Sequence, residues 1–162
     1  MLTLPDGSLA GADAYQRLEV TSVGELSLEQ FDAQPAGVPM FAYDKGWHEP
    51  EFNLSEGRAW RWTSERSDLW IRPIGRPVTL RIAGENPLRY FGKAPHVRVT
   101  AGGREIAAFD PAADFEQTII VPPDVLEASR GTVTVETSTF FVPGAGGDQR
   151  HLALRVYRVS VE

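Results

Sequence analysis

The run HVRVTAGGRE, from His96 to Glu105, decides the class of fold. Val97 and Val99 alternate with His96, Arg98 and Thr100, so one face is apolar and the other wet. That period of two marks a strand covered on one side, as in an antiparallel sheet. Gly102-Gly103 then separates two strand-like runs. Two glycines in succession tolerate positive φ at both centres of a two-residue hairpin.

The same alternation recurs outward in both directions. Val78, Leu80 and Ile82 oppose Thr79 and Arg81, after Pro77, which suits the first position of a strand. Val133 and Val135 oppose Thr132, Thr134 and Glu136. In the final run, HLALRVYRVSVE, the phase slips: Leu152, Leu154 and Val156 share one parity, Val159 and Val161 the other. A one-residue slip turns every side chain over, so the pattern predicts a β-bulge near Tyr157-Arg158. Twelve prolines and fifteen glycines are spread through the chain and leave no room for long helices. VPPDVLEASRG, Val121 to Gly131, has room for one short helical turn, whereas GENPLRYFGKAP and PGAGGD read as loops. Strands at short spacing between turn residues predict an all-β fold, an antiparallel β-sandwich of jelly-roll type, with helical turns only in loops.

The N-terminal forty residues are ambiguous. Gln16 to Thr21 is strand-like, and Ser27-Leu-Glu-Gln30 fits either a capping box or a strand. No repeat or change of composition divides the 162 residues, so a single domain is expected over 1–162. A net charge of −6 argues against a nucleic-acid partner and against anionic membranes. There is no apolar run long enough to span a bilayer, and the first residues lack the basic and apolar regions of a signal peptide. The absence of cysteine excludes disulfides, thiolate metal sites and cysteine nucleophiles.

Chemistry-bearing residues concentrate in GWHEPEFNLSEGRAWRW, Gly46 to Trp62. His48, Glu49 and Glu51 invite a metal reading, but a metalloprotease helix needs two histidines four apart, and Pro50 forbids that helix. His96 and His151 lie far off in sequence and give no ligand spacing. No cofactor is expected; a structural calcium ion is conceivable in the loops, with no residue pattern that requires it. Glycoside hydrolysis needs two carboxylates a set distance apart, for which Glu49 and Glu51 are candidates, with Glu56, Glu65 and Glu85 behind them. Solvated loop carboxylates are the plainer reading. No nucleophile elbow or phosphate-binding glycine loop is present.

Trp60 and Trp62 flank Arg61 at strand spacing and point the same way. Tryptophans mostly bury, so these two are expected to fill the core between sheets, with Arg61 opposed. Trp47, in a polar loop, is as free to meet a ligand as to bury. A sugar offers C–H faces that stack on indole and hydroxyls that pair with charged groups. On that reading Trp47, His48, Glu49, Glu51, Tyr90, Asp148 and Arg150 are the ligand-binding candidates, and Trp60, Arg61 and Trp62 the structural cluster. Glu49 or Glu51 could equally pair with Arg61 or Arg150 and simply order the loops.

The order GW-x-EPE, WRW-T, L-x-I-x-GE-x-PLRYF and FVP…D-x-R-x-L-x-LRVY, running from Gly46 to Tyr157, resembles a bacterial β-sandwich module associated with membrane glycosyltransferases and sugar transfer. Ala153 stands where that pattern carries glycine. The resemblance implies a jelly-roll-like, carbohydrate-associated domain without a settled catalytic assignment. It points to Trp47, Glu49, Glu51, Trp60, Arg61, Trp62, Asp148 and Arg150. It implies a parent or partner glycosyltransferase and, if the module serves an envelope system, an extracytoplasmic location. Three functions follow as expectations: non-catalytic carbohydrate recognition, a structural or protein-interaction domain without ligand, and a sugar-acting hydrolase.

Overall fold

The computed structural model describes residues 21–26, 34–35 and 37–162. Most of the Gln16 to Thr21 segment and all of Ser27 to Gln30 lie outside them. Two short strands come first, β1 (Phe41–Tyr43) and β2 (Glu51–Asn53). The remaining eight form one long double ribbon rolled on itself. β3 (Arg58–Trp62) pairs with β10 (Arg155–Val161), β4 (Arg66–Ile71) with β9 (Thr132–Thr137), β5 (Val78–Glu85) with β8 (Asp114–Val121), and β6 (Val97–Ala101) with β7 (Arg104–Phe109). Every pairing is antiparallel.

Rolling the ribbon brings β10 beside β5 and β6 beside β9. The result is two five-stranded sheets, β1-β4-β9-β6-β7 and β2-β3-β10-β5-β8. Without the edge strands β1 and β2, these are the two four-stranded sheets of a jelly roll. Gly102 and Gly103 form the tip of the ribbon, with φ of 57° and 80°. Ala101 there faces Arg104 across the turn.

The core lies between the sheets. Val78, Leu80 and Ile82 are buried from one side, and Leu69, Val97, Val99, Val133 and Val135 from the other. Each fully buried side chain of this size contributes about 1.5–3 kcal/mol of transfer free energy. α2 (Pro123–Ala128) buries Val125 and Leu126 under one end, in the segment where one helical turn was expected. α1 (Leu88–Phe91) is a single turn ended by Gly92 at φ 71°.

The predicted bulge is present: the β10–β5 register slips between Val156 and Arg158. It lets Leu152, Leu154, Val156 and Val159 all bury despite their change of parity.

Candidate functional site

Gly46 positions the first motif. Its φ is +80°, and a Cβ there would sit 2.0 Å from the Arg66 carbonyl oxygen. Its own carbonyl accepts from the Ser64 amide at 2.7 Å and the Ser67 hydroxyl at 2.8 Å. The loop that follows runs beside the end of β3, with Trp47 bridged to Thr63 and the His48 amide bonded to the Trp62 carbonyl.

This course takes Trp47 away from the surface cluster. Its indole N–H donates to the Asp68 carbonyl at 2.9 Å, and its ring meets Tyr43 edge-on, packed against the core. His48 places Nε2 2.9 Å from the His151 carbonyl, which accepts and so fixes the proton on that nitrogen. Glu49 is exposed beside Pro50.

Strand register decides the rest. Arg61 faces Val156 across β3 and β10, and Val156 belongs to the core. Arg61 therefore points inward, where it is 9 % exposed. Its guanidinium lies 4.7 Å from the Tyr43 ring centre and donates to the His48 carbonyl at 2.9 Å. Burial raises the Tyr43 phenol, and Arg61 partly offsets that. Trp60 and Trp62 consequently lie on the outer face, not between the sheets as their size suggested. The alternation was as expected, but the guanidinium took the inner side because a ring face and a carbonyl receive it there.

On that outer face Glu51 is the hub. Its Oε2 accepts from Trp60 at 3.1 Å and from Trp62 at 3.3 Å. Its Oε1 accepts from Arg150 at 3.0 Å. Arg150 also forks onto Asp148, at 3.0 Å to Oδ1 and 2.8 Å to Oδ2. The Arg150 guanidinium and its backbone amide hold the Asp148 carboxyl at about 2, below its ordinary 3.8. The same carboxylates raise Arg150. Asp148 and Arg150 reach this place because Phe141 and Leu152 exchange two hydrogen bonds, which close the intervening segment into a loop.

Phe141 extends the network. It meets Trp62 edge-on and stacks on Tyr90 with centres 4.1 Å apart. Tyr90 remains 49 % exposed, and the exposed Arg89 hangs over its ring. Beyond Trp60, Arg155 stacks at 4.1 Å and pairs with Glu85, which also accepts from the Tyr157 hydroxyl. Burial, and then the bond to Glu85, raise the Tyr157 phenol.

Of the predicted site residues, the fold thus gathers Glu51, Tyr90, Asp148 and Arg150 with Trp60 and Trp62. Trp47, His48 and Glu49 stand apart from that contact chain. Glu85, singled out in the sequence only as a reserve carboxylate for hydrolysis, belongs to it, as do Arg155, Tyr157 and Phe141, which no motif singled out. The parity of Leu154 and Val156 already placed Arg155 and Tyr157 on the opposite face.

Each histidine ring meets a protein partner, and His48 also lies 3.2 Å from the Ser64 hydroxyl. His96 bonds Asp110 at 2.7 Å, His151 bonds Glu65 at 3.1 Å, and His48 meets a carbonyl. Glu65 is held below the usual carboxylate range, first by its own backbone amide and then by His151. Among the described residues, no three His, Asp or Glu side chains gather as a metal ligand set. No helix of the described residues is long and apolar enough to cross a membrane. Comparison with protein-family models, curated proteins and solved structures returns no match.

Proposed function

We propose that the chain is a non-catalytic accessory module that recognises a carbohydrate where Glu51, Tyr90, Asp148 and Arg150 meet, in the service of cell-envelope sugar transfer. One observation carries the reading. Three segments distant in sequence deliver a half-exposed aromatic ring and a connected set of charged groups to one outer face. Arg150 and Glu51 keep 40 % and 34 % of their side chains exposed. Sugar C–H faces pack on aromatic carbon, and sugar hydroxyls pair with fixed carboxylates and guanidinium groups. A sugar stacking on Tyr90 displaces Arg89, the exposed side chain above it. The resemblance to modules associated with glycosyltransferases supports the same class of ligand and suggests such an enzyme as partner or parent.

Screening on an array of envelope glycans, followed by titration, tests this. Binding that weakens about tenfold in Arg150→Ala or Tyr90→Ala fits the loss of one charged hydrogen bond or one stacking surface. No binding to any glycan at millimolar concentration defeats it.

Glu51 favours a second reading, that of a structural or protein-interaction domain. Both of its oxygens already serve protein donors, as a brace would. The same engagement argues against Glu51 as the acid or nucleophile of a hydrolase, because a reacting carboxylate must turn toward substrate. A Glu51→Gln protein that folds stably and retains full glycan affinity would assign Glu51 to the brace alone.

A further inference from the structure

The sheet on the far side of the sandwich carries a second feature. Arg66 on β4, Glu136 on β9 and Arg98 on β6 stand in one cross-strand row. Asp68, Thr134 and Thr100 form the next row. Glu136 ties its row together, accepting from Arg66 at 2.6 Å and from Arg98 at 2.7 Å. Thr134 donates to Asp68 at 2.6 Å. Two adjoining furrows, about 330 and 310 Å³, share Arg66, Arg98 and Glu136 in their walls. One extends toward His96, the other toward the Gly102-Gly103 tip. Trp70 pairs with Thr132 in the third row, on the same face.

The chemistry of this face is specific in one respect. Two guanidinium groups are matched by two carboxylates, so the rows carry no net charge, while hydroxyls supply both donors and acceptors. Arg66 and Arg98 keep 61 % and 51 % of their side chains exposed although Glu136 orients them. Preorganised donors lose little entropy on binding. Two rows balanced in charge, with an indole in the third, suit an extended chain of hydroxyls, not a phosphate or a uronate.

We propose that the outer face of β4, β9 and β6 is a binding site for a neutral oligosaccharide chain, lying along the Arg66–Glu136–Arg98 furrow. The choice of ligand class rests on the carbohydrate reading above; the residues and the face are different. An amide-resolved NMR titration with cellohexaose, chitohexaose and hexagalacturonate separates the two. Cellohexaose or chitohexaose should move the amides of Thr100, Thr132 and Thr134 and the Trp70 indole N–H. Arg98→Ala, checked by thermal melting to be folded, should weaken that response about tenfold, the effect of one lost hydrogen bond to a charged group. Trp70→Phe, which keeps a ring, should weaken it less. Silence at these positions at about 10 mM of either neutral sugar, a concentration at which even millimolar sites fill, overturns the proposal. Shifts confined to Tyr90, Trp60 and Arg150 overturn it while leaving the first site standing. A response to hexagalacturonate alone, abolished by salt, makes the furrow an anion site and overturns it equally.

Discussion

The carboxylate of Glu51 lies 3.0 Å from the guanidinium of Arg150, ninety-nine residues further along the chain. One residue opens the edge strand β2, the other comes from the loop before β10. Their pairing closes the rim over two tryptophan indoles. Glu51→Ala removes the acceptor shared by Trp60, Trp62 and Arg150, and should cost about 1–3 kcal/mol, the penalty for stranding such donors. Arg150→Ala should cost under about 1 kcal/mol, since that ion pair is partly exposed and screened. Urea denaturation of both variants checks this. Equal losses would mean that the ion pair, not the indole bonds, matters.

Trp62 and Trp60 should separate by burial. Trp62 is 6 % exposed and packs on Phe141, so Trp62→Ala should cost about 3–5 kcal/mol, as large buried truncations do. Trp60 is only half-buried and chiefly stacks on Arg155, so Trp60→Ala should cost about 1–2 kcal/mol. Chemical unfolding of the two variants gives the order, and a larger loss at Trp60 would contradict the difference in burial between them.

Gly46→Ala should be more damaging than its size suggests. The added Cβ meets the Arg66 carbonyl at 2.0 Å in a backbone at φ +80°. Strain and displaced backbone together should exceed about 2 kcal/mol. Gly103→Ala has open space around its Cβ and should cost less, despite its positive φ. Melting curves that rank the two the other way would refute the close approach.

Acid should loosen the rim through Asp148. Arg150 depresses its carboxyl to about 2 from the ordinary 3.8. A depressed carboxyl contributes stability above its unfolded value and loses it as pH falls through the folded one. The contribution of Asp148 should therefore be complete above about pH 5 and fade toward about pH 2. Asp148→Asn should melt below the parent at neutral pH, and the gap should close on acidification. A gap that stays constant across that range would show that Asp148 is not held by charge.

How far the sequence led can be traced through single residues. The HVRVTAGGRE run foretold both the sheet and its hairpin, because period two and paired glycines are local properties. The β10 bulge was equally legible, since Leu154, Val156 and Val159 cannot all bury without it. The direction of the Trp60–Arg61–Trp62 strand was not. Parity separates two faces but does not say which one the partner sheet covers. Tyr43 and the His48 carbonyl, which receive Arg61, come from other segments. Trp47 was undecided for the same reason: Asp68, which takes its indole hydrogen bond, is set beside it only by the pairing of β1 with β4. The far furrow escaped notice because Arg66, Arg98 and Glu136 are ordinary outward strand residues until register aligns them.

The most direct test of the carbohydrate reading is the indole N–H spectrum of the four tryptophans during titration with the strongest binder from the envelope-glycan array. The account predicts shifts of Trp60 and Trp62, whose N–H groups report on Glu51, together with loss of those shifts in Arg150→Ala, while Trp47 stays unmoved. Saturating glycan that leaves Trp60 and Trp62 in place, or moves Trp47 alone, would contradict it.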